Sequence, residues 1–126
     1  MTDSIFTKII NSEIPTHKIY EDEKTIAILD IEPKAPGHVL VIPKIQVDKV
    51  YDLDDEHYSA LWNTAKKVAS HMDKILNKRI FIKVIGTDVP HAHIHLIPQD
   101  ENYKSGQTHS ATEQELKTTQ EKLNML

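Results

Sequence analysis

The pattern of apolar and polar positions along the chain predicts short helices and strands, with one long helix among them. In the long helix, apolar side chains recur at steps of three and four residues from Tyr58 to Leu76. Asp54 or Asp52 can cap its start. Its apolar face indicates packing in a core or in a dimer interface. The pattern predicts helices over 4–11, 55–77 and from Thr112 onward, and strands over 17–21, 24–31, 38–43, 79–85 and 91–98.

The order of these elements indicates the fold class. The strands follow one another mostly through short links, with the long helix between them. We therefore expect an α+β domain on a meandering antiparallel sheet of about five strands, with shorter helices near the termini. Ser4 is a candidate cap of the first helix, and Thr112 with Glu115 has the spacing of a capping box before the last. Residues 1–126 are predicted to form one domain, in which about 99–126 make a C-terminal loop and helix.

Composition narrows the classes of function. The 126 residues include 19 acidic and 15 basic side chains, and the net charge of −4 argues against a nucleic-acid-binding surface. The chain has no cysteine, which excludes disulfides, thiol catalysis and every cysteine-ligated metal site. No apolar run reaches the roughly 20 residues of a membrane span, and the N-terminus does not have the pattern of a secretion signal. We therefore expect a cytoplasmic protein without a membrane or nucleic-acid partner.

Three histidines alternate with apolar residues in the segment HAHIHLI, residues 91–97. Alternate side chains of a strand share a face, so His91, His93 and His95 are predicted on one face and the apolar residues in the core. Two chemical interpretations compete with a purely structural one. A metal site would need remote ligands, because one regular strand holds His91 and His95 about 13 Å apart. Phosphoryl chemistry would use one neutral imidazole as nucleophile and its neighbours to stabilise phosphate oxygens.

The same segment resembles the histidine triad motif, in which three histidines alternate with apolar residues. Upstream, IFTKIINSEIP and IYEDEKTIAILDIEPKAPGHVLVIPK resemble the N-terminal half of the histidine triad (HIT) family, in the same order and at compatible spacing. The chain is more similar to the branch of nucleoside phosphoramidate hydrolases, which are small homodimers, than to the larger transferases. The resemblance implies a HIT-like fold, a homodimer and a purine nucleotide substrate.

The resemblance also implies a role for each histidine of the site. His93 would attack the α-phosphorus and form a nucleotidyl-histidine intermediate that water then hydrolyses. His95 would hold phosphoryl oxygens and help to protonate the leaving group, and His91 would order the other two. His38 matches a fourth histidine that lies near the triad in the family. A half-buried strand histidine is the alternative interpretation of His38.

A nucleoside pocket is implied in the same way. Asp30 would accept hydrogen bonds from the ribose hydroxyls, and aliphatic side chains would enclose the base. Aliphatic side chains offer few hydrogen bonds that could distinguish one base from another, so the preference among purines would be broad. Taken singly, the isoleucines fit a core as well as a pocket. The implied substrate-binding residues are Ile5, Phe6, Ile9, Ile28, Asp30, Ile31, Thr87, Asp88 and Val89.

Two departures from the family pattern bear on function. Many relatives bind a structural zinc through a Cys-x-x-Cys pair, a later histidine and the first triad histidine, but this chain has Ser4, Thr7 and Gln46 at the first three positions. We therefore predict no metal requirement and no cofactor. Before the triad, Thr87 replaces the usual glutamine and Asp88 replaces a small or hydroxyl residue. Asp88 would orient a histidine, favour an amine or aminoacyl leaving group, or cap backbone N–H groups of its loop.

The leading functional hypothesis is a hydrolase that cleaves purine nucleoside 5′-phosphoramidates. The nearest alternative is a dinucleoside polyphosphate hydrolase. A nucleotide-binding module with little catalysis and a metal-binding domain that uses the row of histidines are the two non-enzymatic alternatives.

Overall fold

One antiparallel sheet organises the chain. The structure is a computed structural model that describes residues 2–86, 88–101 and 110–126, and within these residues the sheet has five strands in the order β1-β2-β3-β5-β4. The strands are β1 Lys18–Glu21, β2 Thr25–Leu29, β3 Val39–Pro43, β4 Ile80–Lys83 and β5 Ile94–Pro98. The helices are α1 Ile5–Ile10, α2 Asp55–Leu76 and α3 Glu113–Leu123, with a 3₁₀ turn at Val50–Asp52. The predicted α+β class, the antiparallel sheet and the helices are confirmed.

The sheet is a simple meander only as far as β3. Helix α2 then carries the chain across the sheet to β4, which takes the position beyond β5. Strand β5 returns between β3 and β4 and pairs antiparallel with both. This insertion brings the histidine segment beside β3, where Leu40 is the cross-strand neighbour of His95.

The central strands are buried on both faces, so each face of the sheet has its own apolar cluster. Every residue of β2 and β3 is buried. Alternation along the strands sends Ala27 and Val41 to one face and Ile28 and Leu40 to the other. The first face packs against α2, and the second lies beneath Phe6 of α1. The second face becomes the floor of the candidate site.

Helix α2 packs its apolar stripe into the core. The Asp54 carboxylate caps the helix by accepting from the N–H of His57, and Asn77 ends it in the left-handed conformation. Of the two sequence interpretations of the stripe, core packing is confirmed, because its central residues have no exposed surface and cover the first face of the sheet. These residues are Leu61, Ala65, Val68 and Met72.

Glycine is required at the bend before β3. Gly37 has a φ of +91°, and a Cβ at this position would lie 3.2 Å from Leu76 and 3.3 Å from Pro98. The bend therefore combines a backbone conformation and a close approach that suit only glycine, and it delivers His38 to the start of β3.

The capping predictions for the terminal helices are confirmed. Ser4 caps α1 by accepting from the N–H of Thr7, and Thr112 with Glu115 forms the full capping box of α3. Among the residues that the structure describes, no helix is both long and apolar enough to cross a membrane. The expected cytoplasmic location stays a prediction.

Candidate active site

The three triad histidines share the second face, although only one of them belongs to a strand. The apolar residues between them, Ala92 and Ile94, are buried in the cluster of the first face. The predicted strand over 91–98 is too long, because β5 begins at Ile94. The backbone N–H of Ala92 donates to Val47 O at 2.7 Å, in the loop after β3, so the start of the motif is bonded outside the strand ladder. The rings of His93 and His95 lie 4.9 Å apart, centroid to centroid.

His91 is fully buried and is held at both ring nitrogens. Its Nε2 lies 2.8 Å from Pro43 O, and its Nδ1 lies 2.7 Å from Ser4 Oγ. A carbonyl oxygen only accepts, so Nε2 carries the proton and Nδ1 accepts from the serine hydroxyl. Burial lowers the pKa of His91. The ring is therefore a neutral imidazole with a fixed tautomer.

The carbonyl of His91 in turn fixes the tautomer of His93. The Nδ1 of His93 lies 2.7 Å from His91 O, and because this oxygen accepts, Nδ1 carries the proton in the neutral ring. The Nε2 of neutral His93 then has a lone pair. The ring of Phe6 packs edge-on against the ring of His93, with centroids 4.9 Å apart. His93 is thus arranged as a nitrogen nucleophile of defined orientation.

A second chain of hydrogen bonds sets the proton of His95. The backbone N–H of Lys34 donates to His38 Nδ1 at 3.0 Å, so the proton of neutral His38 sits on Nε2. That Nε2 lies 3.0 Å from His95 Nδ1 and donates to it, which places the proton of His95 on its own Nε2. Burial lowers the pKa of His38 to about 3 and that of His95 to about 4. His38 is 1% exposed and bonded to the triad, so it is not the half-buried strand histidine of the alternative interpretation.

A cavity of about 400 Å³ opens beside His93 and His95. Phe6 and Ile28 form its buried part, whereas Ile5 and Ile31 are 49% and 62% exposed and so belong to its rim. The cavity brings together Ile5, Phe6, Ile9, Ile28, Asp30, Ile31, Asp88 and Val89, which is every implied pocket residue except Thr87. Thr87 lies outside the described residues.

Other residues of the cavity were not predicted from the sequence. They are Ile14, Pro15, Thr16, Leu29, Glu32 and Leu40. For Leu40 a signal existed, because it is two residues beyond His38 in a strand and therefore shares its face. The segment 14–16 offered no such signal, since its place depends on how the chain returns from α1 to the sheet.

Asp30 lies at the junction of the cavity and the histidines. Its Oδ1 accepts from the N–H of Glu32 at 2.9 Å, and its Oδ2 lies 3.7 Å from His38 Nε2. Burial raises the pKa of this carboxyl. A partly buried carboxylate with remaining acceptor capacity suits a ligand that brings hydroxyl donors.

Asp30, His38 and His95 also bring three potential metal ligands within 4.8 Å of one another. Their hydrogen bonds argue against a metal there. The lone pair of neutral His38 lies on Nδ1, where it accepts from Lys34, and its Nε2 carries a proton. A metal at Nε2 would have to displace that proton and leave the Lys34 N–H facing another N–H. The donor set therefore fits a chain of hydrogen bonds better than a metal ion.

Comparison with known proteins defines the class. The sequence profile of the HIT domain matches residues 11–102. Adenosine 5′-monophosphoramidase HNT1 of Saccharomyces cerevisiae is 41% identical over 105 residues, covering 81% of this chain and 65% of the yeast protein. Purine nucleoside phosphoramidase of Escherichia coli is 36% identical over 105 residues, covering 75% of this chain and 86% of the relative.

Solved structures agree with the sequence relatives. A HIT-like protein of Bartonella henselae, described as involved in cell-cycle regulation, has a TM-score of 0.86 at 31% identity, covering 96% of this chain and 93% of that one. A zinc-bound histidine triad family protein of Mycobacterium smegmatis has a TM-score of 0.79 at 27% identity, covering 94% of this chain and 91% of that one. The chain belongs to the HIT family.

Proposed function

We propose that this protein is a nucleotide hydrolase that cleaves purine nucleoside 5′-phosphoramidates through a nucleotidyl-His93 intermediate. Membership of the HIT family and the two phosphoramidase relatives support hydrolysis of a nucleotide substrate. The observation that carries the proposal is the arrangement of protons in the site. The Nε2 of neutral His93 has a lone pair, the Nε2 of His95 carries a proton, and both residues line the same cavity.

The first chemical step forms a bond between His93 Nε2 and the α-phosphorus and breaks the bond from phosphorus to the leaving nitrogen. The Nε2–H of His95 donates to the phosphoryl oxygens or the leaving nitrogen as charge develops there. A water molecule supplies the proton that the departing amine takes up. The proton on His93 Nδ1 stays on the ring, held by His91 O, so the intermediate is a nucleotidyl-imidazolium with a good leaving group.

The second step returns the enzyme to its starting state. The hydroxide left by that water attacks phosphorus, the bond to His93 Nε2 breaks with its electron pair returning to the ring, and the nucleoside monophosphate leaves. His95 again donates to the phosphoryl oxygens. One water is consumed in total, giving its proton to the amine and its hydroxide to phosphorus.

The cavity supports a nucleoside as the rest of the substrate. Asp30 accepts hydrogen bonds from the ribose hydroxyls, and the aliphatic walls at Ile5, Ile28 and Ile31 enclose a flat base. Such walls discriminate poorly between purines, so we expect adenine and guanine nucleotides to react at similar rates.

Asp88 is proposed to act on the leaving group. It lines the same cavity as His93 and His95, and its negative charge raises the pKa of His95, against the larger effect of burial. A carboxylate here disfavours an anionic leaving group and favours one that carries a positive charge. This preference also disfavours dinucleoside polyphosphates, whose leaving groups are anionic.

The active form is proposed to be a homodimer. The centre of the α2 stripe gives this expectation no support, because it is buried within one chain, although Tyr58 and Ile75 near its ends are 43% and 42% exposed. Support comes from the end of the sheet, where β4 is the last strand in the order and Ile82, Val84 and Ile85 are 47%, 41% and 52% exposed. Exposed apolar side chains at and just after an edge strand suit contact with a second copy of the same chain.

Incubation with adenosine 5′-monophosphoramidate tests the proposed function. We expect release of AMP, its loss in His93→Ala, and its retention in His57→Ala, which removes a partly buried histidine outside the cavity. Mass spectrometry of protein quenched during turnover should find nucleotidyl mass on the peptide that contains His93. Tight nucleotide binding with no release above the His93→Ala background would instead indicate a binding module. Faster cleavage of diadenosine polyphosphates than of the phosphoramidate would favour the alternative hydrolase.

A further inference from the structure

A hydrogen-bonded cluster joins the start of α1 to the histidine segment, on the side of His91 away from the cavity. We name it the N-terminal clamp and define it as Ser4, Thr7, Gln46 and His91. Ser4 Oγ lies 2.7 Å from His91 Nδ1, and Thr7 Oγ1 lies 2.7 Å from Gln46 Oε1. The N–H of Ser4 also donates to Gln46 Oε1 at 2.7 Å. Ser4 and His91 are buried, so the hydrogen bond between them is shielded from water.

One arrangement of protons satisfies every member of the clamp. Pro43 O requires the His91 proton on Nε2, so Nδ1 accepts from the Ser4 hydroxyl. Ser4 Oγ accepts in turn from the N–H of Thr7 at 3.0 Å. Gln46 Oε1 accepts from Ser4 and Thr7, and Gln46 Nε2 donates to Thr2 O at 2.9 Å. Because each of these polar groups has a hydrogen-bond partner, the network favours a single geometry of the clamp.

The clamp occupies the positions at which zinc-binding relatives are expected to hold their metal, but its donors do not fit zinc. Two hydroxyls and a carboxamide replace the ligands that zinc prefers, which are thiolates, imidazoles and carboxylates. The single imidazole, His91, already uses Nδ1 to accept from Ser4 and Nε2 to donate to Pro43. The same three segments of chain are therefore joined here by hydrogen bonds.

We infer that the N-terminal clamp positions the nucleophile, with Ser4 as its central residue. This inference rests on the proposed function, because it assigns Ser4 and Gln46 as positioning residues for attack by His93. The clamp fixes the ring of His91, and the carbonyl of the same residue accepts from His93 Nδ1. The clamp also fixes α1, whose Phe6 packs against the ring of His93. Ser4 thus positions both His91, whose carbonyl accepts from His93, and Phe6, which packs against the ring of His93.

The test compares two variants that break the clamp with two that preserve it. Ser4→Ala removes the donor to His91, and Gln46→Met removes the acceptor of Ser4 and Thr7 without touching the helix cap. Ser4→Thr and Gln46→Glu retain the needed oxygen atoms. We expect Ser4→Ala and Gln46→Met to lower kcat for the phosphoramidate about tenfold with KM changed less than about twofold, because misplacement of a nucleophile acts on the chemical step. At least one conservative variant should return kcat to within about threefold of the starting protein.

Thr112→Ala is the matched control for stability, because Thr112 caps α3 as Ser4 caps α1. It should lower the melting temperature and leave kcat unchanged. Nitrogen-15 NMR of the histidine rings gives a readout that needs no substrate: His93 should be the Nδ1–H tautomer in the starting protein and a tautomer mixture in Ser4→Ala. An unchanged His93 tautomer with kcat retained in both clamp-breaking variants would overturn the inference. Loss of kcat in Thr112→Ala equal to that in Ser4→Ala would also overturn it. A starting protein that cleaves no phosphoramidate defeats the proposed function, while the tautomer measurement still tests the clamp.

Discussion

At the scale of single residues, the site depends on which nitrogen of each ring carries the proton. The sequence predicted that the triad histidines share a face, because alternation is a local property of extended chain. It could not predict the tautomers, since these depend on groups that are distant along the chain. Pro43 O sets the proton of His91, and the N–H of Lys34 sets that of His38. The same holds for the partners of Ser4, whose hydroxyl reaches His91 only in the folded protein.

Replacement of Asp88 by asparagine should change the choice of leaving group. The measurement compares kcat/KM for two adenosine 5′-phosphoramidates, one made from ethylenediamine, whose free end is an ammonium, and one from propylamine, which is neutral there. The starting protein should favour the ammonium-bearing substrate, and Asp88→Asn should lower that ratio about five- to tenfold, as expected for a unit charge a few ångströms away in a partly solvated site. Added salt should lower the ratio only while Asp88 is present.

Glu32→Gln is the matched control, because Glu32 lines the same cavity beside Asp30 rather than in the loop of Asp88. It should leave the ratio unchanged. Equal ratios in the starting protein and Asp88→Asn would mean that Asp88 has no part in leaving-group selection. That result would leave the two other interpretations of Asp88, orientation of a histidine and capping of backbone N–H groups in its loop, because an asparagine oxygen can accept in either role.

At the scale of elements, the periodicity of the sequence predicted what each segment becomes but not where it lies. The three-and-four spacing of α2 and the apolar runs of β2 and β3 reflect burial on one helical face and on two sheet faces. The insertion of β5 between β3 and β4 is a long-range arrangement that no local pattern encodes. The late start of β5 has the same origin, because Ala92 bonds to Val47 rather than to β3.

The neutral pair His38 and His95, joined by a hydrogen bond between β3 and β5, should make the free energy of unfolding depend on pH. Burial of neutral His38 and His95 lowers their folded-state pKa values to about 3 and about 4, whereas an unfolded histidine titrates near about 6.5. Between these values the unfolded chain binds more protons, so the free energy of unfolding rises with pH and falls on acidification below about 6.5. Each histidine contributes a slope of at most about 1.4 kcal/mol per pH unit.

Urea unfolding at several pH values between 7.5 and 5 measures this slope. His38→Asn should lower the free energy of unfolding at pH 7.5. It should also make this free energy depend less steeply on pH, by the contribution of one histidine. Thr112→Ala, which removes the cap of α3 and no ionisable group, should lower stability but keep the slope of the starting protein. A free energy of unfolding that is flat from pH 7.5 to 5 would contradict the assignment of His38 and His95 as neutral groups in the folded protein.

At the scale of the whole molecule, the sheet separates stability from chemistry. Its first face and α2 form the main core, and its second face and α1 form the floor and wall of the cavity. The apolar stripe of α2 gave the clearest sequence prediction of an element of the fold. This stripe therefore lies away from the site. The buried centre of that stripe is not available for the proposed dimer contact, whereas the apolar side chains at and after β4 are exposed.

A lysine at position 82 should separate the proposed dimer. Sedimentation of the starting protein at micromolar concentration should give twice the 14.4 kDa mass of one chain, and Ile82→Lys should shift the population toward 14.4 kDa because a charge would have to be desolvated in an apolar contact. Glu23→Lys, which places a lysine in the turn between β1 and β2, should sediment as the starting protein does. Since Ile82 is 47% exposed, its replacement should have little effect on the melting temperature of an isolated chain, so a monomer that remains folded distinguishes loss of the contact from loss of the fold. A single 14.4 kDa species for the starting protein would remove the dimer from the proposal and leave the chemistry of His93 within one chain.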